Sequence, residues 1–211
     1  MKRRLLAGVC VAAMMGLQVG CSGGAAPTTQ AALDQKAEET KAAADIETVT
    51  PGKLTVATSP DFAPYEFYAI GEDGTPKLAG FDMDLAQYIA DYLGLELEVV
   101  TVDFDGVISE LQTKSVDLGM AGLSPDEKRM GIMDFSDLYY MGGQSLVTVK
   151  DNAEKYNSFE AINKPDVSVG AQVGSIQMDL ANENSPEADI VGLPKVTDII
   201  SELLTGKMDA A

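Results

Sequence analysis

From Lys53 onward, apolar and polar positions follow two alternating periods. Lys53–Thr58 (KLTVAT) carries the two-residue period of a strand, and Phe81, Leu85, Ile89 and Leu93 recur every four residues, which predicts a helix over Phe81–Leu93 stopped by Gly94. Between them lies a loop with a turn signal at Gly71-Glu-Asp-Gly74. The pattern then predicts a strand over Leu95–Val102, a helix over Gly106–Lys114 and a strand over Val116–Ala121. Ser124-Pro-Asp-Glu127 has the form of a capping box with proline at the first helical position, opening a short helix through Met130. Strand-like stretches follow at Met133–Phe135 and Gln144–Lys150.

A second series begins after Lys150: helix Ser158–Asn163, strand Val167–Ala171, helix Ser175–Asn184, strand Ile190–Leu193, helix Thr197–Thr205, then Met208-Asp-Ala-Ala211. Strands alternating with helices predict parallel sheets covered on both faces, and two such series predict two α/β lobes. The helix-to-strand passage Leu111-Gln-Thr-Lys-Ser-Val-Asp117 is echoed by Leu204-Thr-Gly-Lys-Met-Asp209, shortly before the last residue. A central strand broken off there lacks its ladder partners. The sequence therefore reads as a fragment whose second lobe and return crossing are incomplete.

The amino terminus carries a different pattern. Lys2, Arg3 and Arg4 precede an apolar run, Leu5–Leu17, of 13 residues. A membrane-crossing helix needs about 20, so the run reads as the core of a secretory signal. Its end, Gly20-Cys21, resembles a bacterial lipoprotein signal, in which cleavage before the cysteine is followed by its lipidation; Gln18 stands where an aliphatic residue is usual. The other reading is a plain secretory signal with an incidental cysteine. Residues 1–20 are thus read as signal, 21–51 as a flexible tether of roughly 30 Å r.m.s. span, 52–148 as lobe 1 and 149–211 as a partial lobe 2. This makes the protein exported and lipid-anchored to the outer face of the cell membrane through Cys21.

Composition narrows the chemistry. With no His, imidazole metal sites and serine-histidine or cysteine-histidine catalysis are excluded. A net charge of -18 argues against nucleic acid, whose binding depends on Lys and Arg neutralising phosphates. Cleavage before Cys21 would leave one cysteine and no disulfide within the chain. Asp82-Met-Asp84 could suggest a metal motif, but acids in a first helical turn are explained by the helix dipole. Asp103-Phe-Asp-Gly106 lacks the further acid of a calcium loop and reads as a strand-to-helix turn. No metal and no cofactor are expected.

Two constellations leave alternatives open. Arg129 follows a central strand, where open α/β sheets place ligands, and could hold a carboxylate by two parallel hydrogen bonds with Ser124 adding donors; it could equally be a solvated surface arginine. Gly174-Ser-Ile-Gln177 is a strand-to-helix junction that either favours an anion or is an ordinary N-cap.

At these residues the sequence resembles a family. Gly80-Phe-Asp-Met-Asp-Leu-Ala-Gln-Tyr-Ile-Ala-Asp-Tyr-Leu93 is similar to the signature of bacterial extracellular solute-binding proteins that serve polar amino-acid ABC transporters. Ser59-Pro-Asp-Phe-Ala-Pro-Tyr-Glu66, Gly122-Leu-Ser-Pro-Asp-Glu-Lys-Arg129, Phe135-Ser-Asp-Leu-Tyr-Tyr140 and Val169-Gly-Ala-Gln-Val-Gly-Ser175 support it. The resemblance implies a two-lobed fold of the periplasmic-binding-protein type II class, a monomer that is not an enzyme. By similarity, Phe62 would stack on the ligand, the Gly122 carbonyl and Ser124 hydroxyl would meet its head group, and Arg129 would clamp its α-carboxylate. Ser175, Ile176 and Gln177 would close from lobe 2, although Ile176 stands where a hydroxyl residue is usual. Ser59 belongs to the same set and brings no charge that singles out a basic side chain. The implied partners are a polar amino acid and a membrane permease. The fragment is expected to bind weakly or not at all, and its full-length parent to bind. Rival readings are an exported dehydratase of cyclic prephenate-like acids and a ligand-binding sensor or adhesin of the same fold.

Overall fold

A computed structural model describes residues 46–211; the signal, Cys21 and the tether up to residue 45 lie outside the described residues. The elements run β1 Lys53–Thr58, β2 Asp61–Phe62, β3 Glu66–Ile70, β4 Pro76–Ala79, α1 Phe81–Leu93, β5 Glu96–Thr101, α2 Phe104–Gln112, β6 Leu118–Gly119 and α3 Glu127–Met130. After a long connection whose one regular element is a short 3-10 turn at Lys150–Asn152 come α4 Phe159–Ile162, β7 Ser168–Gln172, α5 Ile176–Asn184, β8 Asp189–Leu193 and α6 Val196–Leu204.

The first lobe is built on a parallel sheet in the order β5-β1-β6, with Val56 opposite Val99 on one side and Leu118 on the other. Its central strand buries Leu54, Val56 and Ala57, which places core on both faces. The second lobe is built on parallel β7 and β8, and Ala210 bridges to Val169 on the other side of β7. The chain is therefore α/β, as expected. Among the described residues both sheets are parallel except for one antiparallel addition, β2-β3-β4, in the stretch read from sequence as loop and turn.

Helix α1 matches its predicted bounds, and Gly94 ends it at φ 68, the left-handed conformation glycine adopts without strain. The buried stripe, however, is Met83, Ala86 and Ala90, with Leu85 and Ile89 at its border, while Phe81 is half exposed and stacks on Tyr139. Alanines at 86 and 90 let the helix approach the sheet more closely than the larger side chains would.

Other expectations are corrected. Helix α2 starts at Phe104, two residues before Gly106, and Phe104 is itself core. The cap of α3 is Asp126, whose carboxylate accepts the Arg129 N–H at 2.8 Å; Ser124 is not the cap and Pro125 is not helical. Met133–Phe135 and Gln144–Lys150 are not strands, although Val147 exchanges two backbone hydrogen bonds with Ala211. Ser158, expected as the first residue of its helix, instead caps α4, and Ser175 caps α5, each accepting an N–H group at 3.2 Å; at Ser175 this is the N-cap alternative for Gly174–Gln177.

Candidate functional site

The carboxyl ends of β1 and β6 and the start of α5 face one another between the lobes. A cavity of about 300 Å³ there is lined by Phe62, Gly122, Ser124 and Arg129 from the first lobe and by Gln172, Ile176 and Gln177 from the second. Placement at strand carboxyl ends follows the general rule for open α/β sheets. A second, more polar hollow of about 170 Å³ adjoins it, lined by Phe62, Tyr65, Ser124, Tyr139, Tyr140 and Gln177 among others. Six of the eight ligand-binding candidates thus meet at one place.

Phe62 lies at the end of β2 and stacks on Tyr65, ring centroids 5.2 Å apart; Tyr140 meets Tyr65 edge-on. Gly122 turns the chain at φ 56, where a Cβ would press against the Phe62 ring, so this position needs glycine both for conformation and for space. Its N–H is held at 3.0 Å by the carboxylate of Asp82. Asp82 is fully buried and also accepts from the Tyr139 hydroxyl, so this first-turn acid is a structural anchor for the pocket wall as well as a dipole partner.

Arg129 is only 6% exposed, which removes the reading of a solvated surface arginine. Its Nη1 donates to the Ser124 carbonyl at 2.8 Å and its Nη2 crosses the cleft to the Gly174 carbonyl at 2.9 Å. Nε pairs with Asp126 at 3.1 Å, and the Phe104 ring lies 5.7 Å from the guanidinium. A guanidinium has five N–H donors, so two remain for a ligand.

The remaining candidates sit differently. The Ser175 N–H donates to the Gln172 carbonyl at 3.2 Å and its hydroxyl to the same oxygen at 2.7 Å, so both are engaged within the second lobe. Ser59 lines a different hollow and donates its hydroxyl to Asp61 at 2.8 Å. Gln177 reaches Gln144 at 2.8 Å.

Sequence reasoning missed the acids behind the wall. Glu66, opposite Phe62 in the β2–β3 ladder, is fully buried, and neither carboxyl oxygen has a donor from another group. Burial, then the neighbouring charge of Asp82 and a hydrogen bond with it, then Asp61, push the Glu66 carboxyl up to about 10. Glu66 therefore favours its protonated form at neutral pH, in which its own O–H can serve Asp82 while its other oxygen stays without a donor. Burial first, and then Asp82, likewise push the Tyr139 hydroxyl upward. The only hint in the sequence is that Glu66 closes the motif Ser59–Glu66.

Two α/β lobes facing each other across a cavity with a buried arginine fork define the class of periplasmic-binding-protein-like proteins. The chain belongs to the bacterial extracellular solute-binding proteins, family 3, whose model matches residues 54–187. It is 35% identical over 161 residues to the arginine-binding extracellular protein ArtP of Bacillus subtilis, covering 75% of this chain and 60% of that one. A cyclohexadienyl dehydratase of Pseudomonas aeruginosa is 30% identical over 75% of this chain and 58% of its own. Among solved structures, an amino acid ABC transporter substrate-binding protein from Streptococcus pneumoniae bound to L-arginine has a TM-score of 0.72 at 39% identity, covering 75% of this chain and 65% of that one. The chain thus spans about 60% of the length of the curated relatives it matches.

Proposed function

We propose that this chain belongs to the capture subunit of an importer, which closes two lobes, near 52–148 and 149–211, on an amino acid and delivers it to a membrane permease. The observation that carries the reading is Arg129, buried at the cleft with two donors unspent and both lobes within its reach. A carboxylate held by such a fork gains two charge-assisted hydrogen bonds. Phe62, Gly122, Ser124, Ile176 and Gln177 complete the cavity, with Ser59 and Ser175 supporting it from behind.

The ligand we favour is an amino acid with a cationic side chain, arginine first. Relatives named for arginine and histidine support this choice. This sharpens the sequence reading, in which nothing singled out a basic ligand. Export by the signal at 1–20, a lipid on Cys21 that holds a monomer at the outer face of the membrane, and the tether belong to the same proposal.

An exported dehydratase is the second reading, supported by the likeness to a cyclohexadienyl dehydratase; the neighbouring carboxyls of Glu66 and Asp82 are fully buried behind Gly122, so this reading requires them to become exposed to the cleft. Calorimetry on the full-length protein with a panel of amino acids tests the first reading, with arginine expected to bind most tightly. Absence of binding to every amino acid, or turnover of prephenate-like acids, would overturn it.

A further inference from the structure

Helix α6 begins without a cap of its own. Its N-cap position is Lys195, whose side chain makes no capping bond and whose charge opposes the positive end of the helix. The first helical N–H, that of Val196, instead donates to Asp61 of the other lobe at 2.5 Å. The same Oδ2 accepts from Gln172 Nε2 at 3.3 Å, and that amide also donates to the Pro194 carbonyl at 3.0 Å, fixing the turn that leads into the helix. Oδ1 is held from its own lobe by the Ser59 hydroxyl at 2.8 Å. One half-buried carboxylate therefore receives donors from both sides of the cleft.

We propose that Asp61 is the closure residue of this protein: it caps α6 across the cleft, so that the closed arrangement holds a helix cap which the open one loses. Other polar contacts between the lobes are weaker candidates. Lys128 and Asp179 pair at 2.9 Å but are 80% and 62% exposed, and pairs of that kind contribute little. The Gln144–Gln177 bond is also exposed. The Arg129–Gly174 contact uses the guanidinium assigned to the ligand, so it cannot be counted twice. Asp61 binds no ligand in this scheme; it positions the second lobe, and Ser59 positions Asp61. The inference rests on the two-lobed fold alone and not on which molecule the cleft takes.

The test is made without ligand, on the full-length protein, so its failure is separable from failure of the transport reading. Amide exchange across 196–199 and the radius of gyration from small-angle scattering are compared between the parent and Asp61→Ala. A helix cap alters the local equilibrium by about 2- to 30-fold, so exchange at Val196 should rise by roughly fivefold and the mean size should increase. Adding Lys195→Ser supplies α6 with a cap of its own, which takes the N–H of Thr197 or Asp198: it should restore slow exchange at 197–198 while Val196 stays fast and the molecule stays open. Ser59→Ala should shift both readouts in the same direction by less. If folded Asp61→Ala keeps parental exchange and size, or if Lys195→Ser also restores closure, the proposal is overturned. Should Asp61→Ala not fold, Ser59→Ala and Gln172→Ala decide, and parental values in both would sink it.

Discussion

The backbone N–H of Gly122 is bonded at 3.0 Å to the carboxylate of Asp82, which joins the turn after β6 to the first turn of α1 across 40 residues of sequence. The Tyr139 hydroxyl donates to the same carboxylate at 3.1 Å. Asp82→Ala would leave two donors without their acceptor inside the protein. Urea unfolding should show a loss of about 2 kcal/mol, as a stranded buried donor costs about 1–3 kcal/mol and the hydroxyl of Tyr139, a residue 43% exposed, can turn to water. Asp82→Asn keeps an acceptor oxygen and should lose less. A loss below about 0.5 kcal/mol for the alanine variant, the level of an ordinary surface change, would show that the wall does not depend on this acid.

Glu66 gives the protein a pH dependence of definite sign. Its folded-state value is pushed up to about 10 from an ordinary 4.5, chiefly by burial and then by Asp82, so the folded chain holds a proton that the unfolded chain releases. This contribution is complete below about 4.5 and is lost as pH rises from there towards 10. Glu66→Gln, which keeps a donor towards Asp82 and cannot ionise, should flatten that decline. Denaturation midpoints at acid and mildly alkaline pH check it: the variant should gain on the parent only at the higher pH, and parallel curves would count against the shared proton.

Two substitutions separate the structural role of Arg129 from the binding role proposed for it. Arg129→Lys keeps charge but cannot reach both the Ser124 and Gly174 carbonyls as a fork. Stability should fall by about 1–3 kcal/mol. In the full-length protein Arg129→Ala should weaken amino-acid binding by about 2–5 kcal/mol, the cost of removing one partner of a buried charge pair. Calorimetry giving a binding loss under about 0.5 kcal/mol would place the residue outside the site.

Gly80 offers a purely steric prediction. It stands at φ 127, and a Cβ there would collide with the Tyr65 carbonyl and peptide. Because both obstacles are backbone, neither can rotate away. Gly80→Ala should therefore destabilise by more than about 2 kcal/mol, combining backbone strain with displacement of β3. A thermal midpoint equal to that of the parent would contradict the placement of this turn.

How much of this was legible depends on the range over which each feature is specified. Helix α1 could be bounded from sequence because its period and its stop, Gly94, are local. The cap of α3 was misplaced because Ser124 and Asp126 are both good caps, and only the extended backbone at Asp126 decides between them. Strands β2 to β4 escaped notice: β2 has two residues, and β3 carries apolar residues at its exposed positions, Tyr68 and Ile70, as well as at its half-buried ones, which hides its period. In the cavity, Phe62, Gly122, Ser124, Arg129, Ile176 and Gln177 were found through motifs. Asp61 was not, because its partner Val196 is 135 positions away and backbone donors leave no mark on a sequence. Glu66 was missed for a related reason, since a charged letter gives no sign of being buried.

Asp117 fixes where the chain is held. Its carboxylate accepts the N–H groups of Val49 and Thr55 at 2.7 and 2.8 Å, at the starting end of β1, whereas the cavity lies beyond the finishing end. Six strand residues separate those ends by about 20 Å. If the chain is held through the residues before Ile46, as proposed, the point of attachment and the mouth of the cleft lie at opposite ends of β1, which leaves the mouth free to face away from the membrane.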